Sequence, residues 1–141
     1  MSEPVRSTRE TIELLLRTII EGTRDDIADL YAEDVVISNP FAPEGVAGET
    51  RGNADLRARM KHYQQFLAYD AVRDVTIHET TDPQVAIVEF TLAGTLVPTG
   101  TKFALPAINV LRVVYGLITE SRDHSDGIRA AKLFEEMQSA A

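Results

Sequence analysis

Residues Asn109 to Asp126 read NVLRVVYGLITESRDHSD, and the reading of this stretch decides the fold. Val110, Leu111, Val113 and Val114 are apolar strand formers, Tyr115-Gly116 supplies turn chemistry, and Leu117, Ile118 and Thr119 resume the strand pattern. Two such runs separated by a tight, glycine-containing turn predict a β-hairpin. The second strand ends in a polar cluster: Glu120, Ser121, Arg122, Asp123, His124, Ser125 and Asp126. The hairpin carries that cluster back towards the middle of a sheet. If the protein does chemistry, a carboxylate of this cluster is expected to take part.

Upstream the pattern stays close to period two. Val72 to His78 is a strand candidate, Thr81-Asp82-Pro83 a turn, and Gln84 to Thr95 a longer strand. Val97-Pro98-Thr99-Gly100 turns the chain, and Lys102 to Val114 returns across the sheet. Pro106 interrupts that strand; it has no N–H for the ladder and predicts a bulge or an edge. Downstream, Asp126 suits the cap of a final helix with Ile128, Ala131, Phe134 and Met137 as its apolar face.

The first half of the chain is helical in pattern. Residues 1–6 read as a loose end. Ser7 and Glu10 have the spacing of a capping box, and Ile12, Leu15, Leu16 and Ile19 form a stripe that Gly22 closes. Thr23 caps a short second helix with Asp25 and Asp26 in its first turn, where the helix dipole favours negative charge. Ile27, Leu30 and Tyr31 are its expected buried face. Val35, Val36 and Ile37 form a brief strand stopped by Asn39-Pro40. The Gly- and Pro-rich segment 41–52 is expected to be a loop. Gly52-Asn53 opens a third helix with Leu56, Met60, Tyr63 and Leu67 towards the core and Arg57, Arg59, Lys61, Gln64 and Gln65 on a solvated face.

Three helices with one short strand, four strands on short connections and a last helix predict one α+β domain spanning residues 1–141. Its consecutive strands are antiparallel, and helices lie to one side of the sheet. A strongly curved sheet with helices across its open face would enclose a cavity. The 141 residues suffice for one core. A net charge of −8 argues against nucleic acid. With no cysteine, thiolate nucleophiles and thiolate metal sites are excluded, and a reducing compartment fits. No segment approaches the ~20 apolar residues that span a bilayer, so a cytoplasmic protein without membrane partners is expected.

Several local patterns, in order, carry a resemblance across roughly residues 8–137. Leu30-Tyr31-Ala32-Glu33-Asp34-Val35 precedes the first strand, Gly48-Glu49-Thr50-Arg51-Gly52 leads into the third helix, and Val88-Glu89-Phe90 through Gly94-Thr95 with Thr99-Gly100 fits a central strand and turn. Gly116 to Asp126 supplies the ending. Together they resemble the SnoaL-like proteins of the nuclear transport factor 2-like superfamily, which includes ketosteroid isomerases, polyketide cyclases and limonene epoxide hydrolases. From Asp74 onward, Glu79-Thr80-Thr81-Asp82-Pro83, Val97-Pro98-Thr99-Gly100 and the last strand also resemble the phenazine-biosynthesis A/B proteins. The resemblance implies a cone-shaped α+β barrel with a pocket for a small apolar or aromatic organic ligand, usually in a homodimer, and no cofactor.

The resemblance singles out Asp123, which matches a catalytic glutamate of the phenazine-type proteins and an aspartate of the epoxide hydrolases. A carboxylate facing inward beneath apolar side chains would have its ionised form desolvated and its pKa raised towards acid–base use. The competing reading is a surface carboxylate paired with Arg122, because inverting the strand's parity turns Asp123 outward. Asn39 and Asn109 stand where the resemblance to ketosteroid isomerases would place two aspartates, and Leu15 stands near the isomerase tyrosine. Asparagine cannot abstract a proton, but it can orient a carbonyl or a water. Asn39 also matches an epoxide hydrolase asparagine, but Ile37 replaces the accompanying tyrosine. The phenazine-type histidine is Arg73 here. Glu89 is a second carboxylate that faces either the pocket or the outside, and Tyr63 is a candidate ligand contact. His62, His78 and His124 lack metal-site spacing, so no metal is expected.

Two functions follow. The first is a cofactor-independent enzyme performing cyclisation, isomerisation, dehydration or condensation of a carbonyl-containing metabolite, with Asp123 as acid–base and Asn39, Asn109, Glu89 and Tyr63 around the substrate. The alternative is a non-catalytic ligand-binding or dimerisation module; epoxide opening is the weaker third reading.

Overall fold

A computed structural model describes residues 5–140. The chain forms α1 (Thr8–Glu21), α2 (Arg24–Ala28), β1 (Tyr31–Ser38), β2 (Glu49–Arg51), α3 (Asn53–Tyr63), β3 (Leu67–Glu79), β4 (Val85–Leu96), β5 (Thr101–Val114), β6 (Leu117–Ser125) and α4 (Gly127–Ala140). One six-stranded sheet has the order β2-β1-β6-β5-β4-β3. Every neighbouring pair is antiparallel except β1 and β6, which run parallel. The α+β architecture with a curved, mostly antiparallel sheet is as expected. The sheet does not close, because β2 and β3 are free edges. Its curvature has a local cause in β3, whose ladder to β4 shifts register between Tyr69 and Ala71 and again between Arg73 and Thr76. Each extra residue bends the strand and increases its twist.

Helix α1 starts on the capping box of Ser7 and Glu10 and lays Ile12, Leu15 and Leu16 on the inner sheet face. There they meet Ala86 and Val88 of β4, Leu111 and Val113 of β5, and Ile118 of β6, with Ile27 and Leu30 closing the cluster. Ile12, Leu111 and Ile118 are fully buried. Burying one such side chain stabilises the fold by about 1.5–3 kcal/mol.

The β5–β6 hairpin turns through Tyr115 and Gly116, both at positive φ (50° and 74°), the two-residue turn whose twist matches the strands. Val113 pairs with Ile118 but Arg112 pairs with Glu120, so Thr119 is an extra residue in β6. That bulge changes which side chains face inward. Ile118 is in the core, and simple alternation would send Glu120 and Arg122 in after it. The bulge sends Ser121 and Asp123 in instead, level with Leu111 and Asn109.

Several boundaries differ from expectation. Tyr31 belongs to β1, not to a second-helix face, and β1 runs through to Ser38 because its backbone finds partners in both β2 and β6. The expected loop contains β2, which pairs with β1. Leu67 opens β3 instead of continuing α3. Pro106 makes no bulge in the β4–β5 ladder; it lies just past the last β5–β6 pair, Ala107 with Ser125, where its missing N–H costs no ladder bond. Asp126 caps α4 by accepting from the Ile128 and Arg129 amides, but Ile128 itself is 86% exposed rather than on a buried face. Residues 1–4 of the expected loose end lie outside the described residues, while Arg6 donates to the Gly116 carbonyl at 2.8 Å and so ties the N-terminal segment to the hairpin turn.

Candidate functional site

A cavity of about 200 Å³ lies between α3 and the inner face of β1 and β6. One wall is Ile37 near the end of β1 and Asn39 just past it, with Asp123 from neighbouring β6. Tyr31 from the start of β1 and Tyr69 of β3 add two phenols. Helix α3 supplies the opposite wall through Leu56, Arg59, Met60 and Tyr63. Its entry depends on Gly52, the helix N-cap at φ 87°, a conformation that a side chain would strain.

Asp123 is the one acidic residue of this lining. Burial pushes its carboxyl pKa up. A hydrogen bond from Ser121 Oγ to Asp123 Oδ1 at 2.5 Å, with the charges of His124 and Arg59, opposes the rise without cancelling it. Ser121 is itself 1% exposed, so its hydroxyl is a fixed partner. Burial, reinforced by the Asp123 charge and by Tyr69, also holds the Tyr31 phenol far above its ordinary range, so it remains a protonated hydroxyl.

Two asparagines flank the carboxyl. Asn39 lines the cavity, and Asn109 lies directly across the β5–β6 ladder from Asp123. Both side-chain oxygens are buried with no hydrogen-bond partner among the described residues. A buried acceptor left without a donor costs about 1–3 kcal/mol, which a ligand or water donor relieves. Of the expected site residues, Asp123, Asn39 and Tyr63 come together in this cavity. Asn109 stands beside Asp123 without forming part of the lining.

Glu89 is the correction. It pairs across the ladder with Ile108, one row from the Asn109–Asp123 pair, and alternation puts it on the outer face. There it is exposed and hydrogen-bonds His78 Nε2 at 2.5 Å. His124 also faces outward, its Nδ1 3.2 Å from the Ile108 carbonyl and its ring 5.4 Å from Phe41. Among the described residues no group of three or more His, Cys, Asp or Glu is placed to hold a metal ion. Among the described residues no helix is long and apolar enough to cross a membrane.

Sequence reading missed Tyr31, Tyr69, Arg24 and Arg59. Arg59 was expected on a solvated face, yet it lines the cavity and donates to Thr50 Oγ1 and to the Ala47 carbonyl. The signal was present, because Arg59 sits three residues after Leu56 and four before Tyr63, on the same helical stripe. Arg57, two residues away, does face outward and bridges Asp25 and Asp29 of the α2 region. Arg24 packs 3.8 Å over the Tyr69 ring and donates to the Leu67 carbonyl at 2.5 Å.

A family model described as the SnoaL-like domain matches residues 12–121. An uncharacterised PhzA/B-like protein of Pseudomonas aeruginosa is 30% identical over 96% of this chain and 95% of its own length. Among solved structures, a candidate isomerase of Bacillus subtilis superposes with a TM-score of 0.82 at 22% identity, covering 95% of this chain and 94% of that one. A candidate polyketide cyclase of Pseudomonas putida superposes with a TM-score of 0.77 at 18% identity, covering 91% and 98%.

Proposed function

The chain belongs to the SnoaL-like family, and from that premise we propose a cofactor-independent enzyme in which Asp123 moves a proton on a carbonyl-containing small metabolite. The observation that carries this reading is a carboxyl group with a raised pKa, buried at a cavity wall beside an asparagine whose oxygen has no partner. A carboxyl that keeps its proton above the ordinary range can donate to a developing alkoxide or enolate, and its conjugate base can take a proton from carbon next to a carbonyl. Asn39 orients the substrate: its amide N–H donates to a carbonyl, and its orphaned oxygen accepts from a hydroxyl. Tyr31 remains a neutral donor. Isomerisation, dehydration, cyclisation and condensation all use such a proton transfer, and they are the reaction classes proposed.

Cavity size restricts the substrate. An apolar cavity of ~150 Å³ accommodates benzene, so about 200 Å³ suits a single substituted ring or a chain of similar bulk. The aspartate pair of the steroid isomerases is replaced by Asn39 and Asn109, and Leu15 is packed in the core. Ile37 stands in the cavity where the epoxide hydrolases carry a tyrosine. Both substitutions argue against those two mechanisms.

The test is a binding screen of cyclic ketones and β-dicarbonyl compounds, followed by turnover of the hits by wild type and Asp123→Asn. Turnover by wild type alone supports the proposal, and equal turnover by both excludes it. Tight binding with turnover by neither protein would favour the non-catalytic binding module. We also propose a homodimer, with Phe41 and Ile108, 65% and 46% exposed near His124, as apolar surface for it to cover. A monomer by light scattering at micromolar concentration would refute that.

A further inference from the structure

His124 stands behind the site, on the opposite face of the sheet from Asp123, and it meets the chain next to each of the inner polar groups Asn39, Asn109 and Asp123. It follows Asp123 in β6, and its Nδ1 lies 3.2 Å from the carbonyl of Ile108, the residue before Asn109. Its ring lies 5.4 Å from that of Phe41, two residues after Asn39. A carbonyl only accepts, so this contact requires the hydrogen of the neutral imidazole on Nδ1 and leaves Nε2 to take a second proton. The ring is half-buried, and a charge in that setting is screened less than one in open water.

Two cations bear on the Asp123 carboxyl, His124 from behind and Arg59 from α3, and both favour its ionised form. They differ in kind. A guanidinium keeps its charge at any working pH, whereas an imidazole ordinarily gains or loses one between about pH 5 and 8. The other charged groups around His124 share its outer groove. Glu89 of β4 bonds His78 of β3, and Asp126 pairs with Arg129 of α4. Asp74 of β3 lines the same groove, while β5 and the segment after β1 contribute only uncharged residues to it. Arg122, two residues back on the same face of β6, pairs with Glu120.

We propose that His124 is a positioning residue for Asp123, acting through the sheet: its ring steadies the segments that carry Asn39, Asn109 and Asp123, and its second proton makes the inner carboxyl a stronger acid. The inference rests on the proposed function for the use made of Asp123, while the coupling is a property of the two side chains. A residue that touches no substrate thereby controls the inner site. When His124 loses its second proton, Asp123 holds its own more firmly. The link is reciprocal, because two coupled sites change each other's proton affinity equally.

The experiment follows both groups by NMR in the full chain as pH is varied, the Asp123 carboxyl by ¹³C and the His124 ring by its carbon-bound protons. Two replacements separate charge from packing: His124→Asn keeps a donor for the Ile108 carbonyl, and His124→Phe keeps a ring against Phe41. Both should raise the Asp123 midpoint by about half a pH unit, the size of a screened attraction between neighbouring charges. Asp123→Asn should lower the His124 midpoint by a similar amount. In wild type the side-chain amide resonances of Asn39 and Asn109 should shift along the His124 titration. An Asp123 midpoint unchanged in both His124 variants, or a His124 midpoint unchanged by Asp123→Asn, would overturn the proposal. Should a His124 variant fail to fold, the titration of the intact ring in Asp123→Asn still decides. On a screened substrate, His124→Asn should move the carboxyl limb of the pH–rate profile upward. Equal turnover by wild type and Asp123→Asn would remove the proton-transfer reading and leave the coupling standing. Uncoupled midpoints in an enzyme that needs Asp123 would remove this inference alone.

Discussion

Asp123 and Glu89 are carboxylates of long strands in one sheet, separated only by β5, and their surroundings have little in common. Asp123 is level with Asn109 and Glu89 with Ile108, adjacent positions on β5, so the pleat places the two on opposite faces. The inner carboxyl loses water, receives a hydroxyl hydrogen bond and has its pKa raised. The outer one keeps about half its side-chain exposure and pairs with His78. A difference of one row in the sheet separates the group to which the proposed function assigns proton transfer from one that contributes to a solvated surface. Residue type and strand membership carry none of that difference; facing does.

The strongest way to break the contrast is to delete Thr119. Without the bulge, alternation drives Glu120 and Arg122 towards the inner face and Asp123 outward. Stability should fall by about 3–5 kcal/mol, the usual cost of an unpaired buried charge, and urea denaturation measures it. A deletion variant as stable as wild type would show that the bulge does not set the facing.

Next in size is the side-chain exchange. Asp123→Asn should lower turnover about 10²- to 10⁴-fold, while Glu89→Gln leaves it unchanged; steady-state kinetics on a screened substrate separates the two. Ser121→Ala sharpens the account of the inner group. Removing a hydrogen bond that favours the ionised form should move the carboxyl limb of the pH–rate profile upward, with a rate change of less than about tenfold. A downward shift would assign the Ser121 contact the wrong sign.

The stability of the fold should also register the difference. The Asp123 carboxyl pKa is raised in the folded state above its ordinary 3.8. Its protonated form therefore stabilises the fold fully below that ordinary value, and the contribution is lost as pH rises through the raised one. Wild type should lose stability relative to Asp123→Asn across that window, followed by urea denaturation at a series of pH values. The smallest effect belongs to the outer pair: His78→Ala should cost under about 1 kcal/mol, as is usual for exposed ion pairs.

Much of the molecule was legible in the residues. Ser7 with Glu10, Thr23 and Asp126 behave as caps because their chemistry is local and acts within three or four positions. The β5–β6 turn was legible at Tyr115-Gly116 for the same reason. In the site, Asp123, Asn39 and Tyr63 were named from the sequence and share one cavity. Arg59 was misplaced because a charged residue on a helix is ordinarily a solvated one, and its position on the Leu56–Tyr63 stripe was outweighed by its charge. β2 was invisible because three residues carry no periodicity; only β1 alongside gives them a ladder.

The sequence alone determined the helices, the turns, the succession of the long strands along the chain and which residue types were available for chemistry, since each depends on neighbours a few positions apart. Tertiary structure decided the rest: which way each strand faces, which residues meet across the cavity, and which charges lose their water. In the opening stretch the deciding feature is Thr119. Its unpaired place in the ladder, set by how β6 packs against β5 and β1, turns Asp123 inward and leaves Arg122 outside.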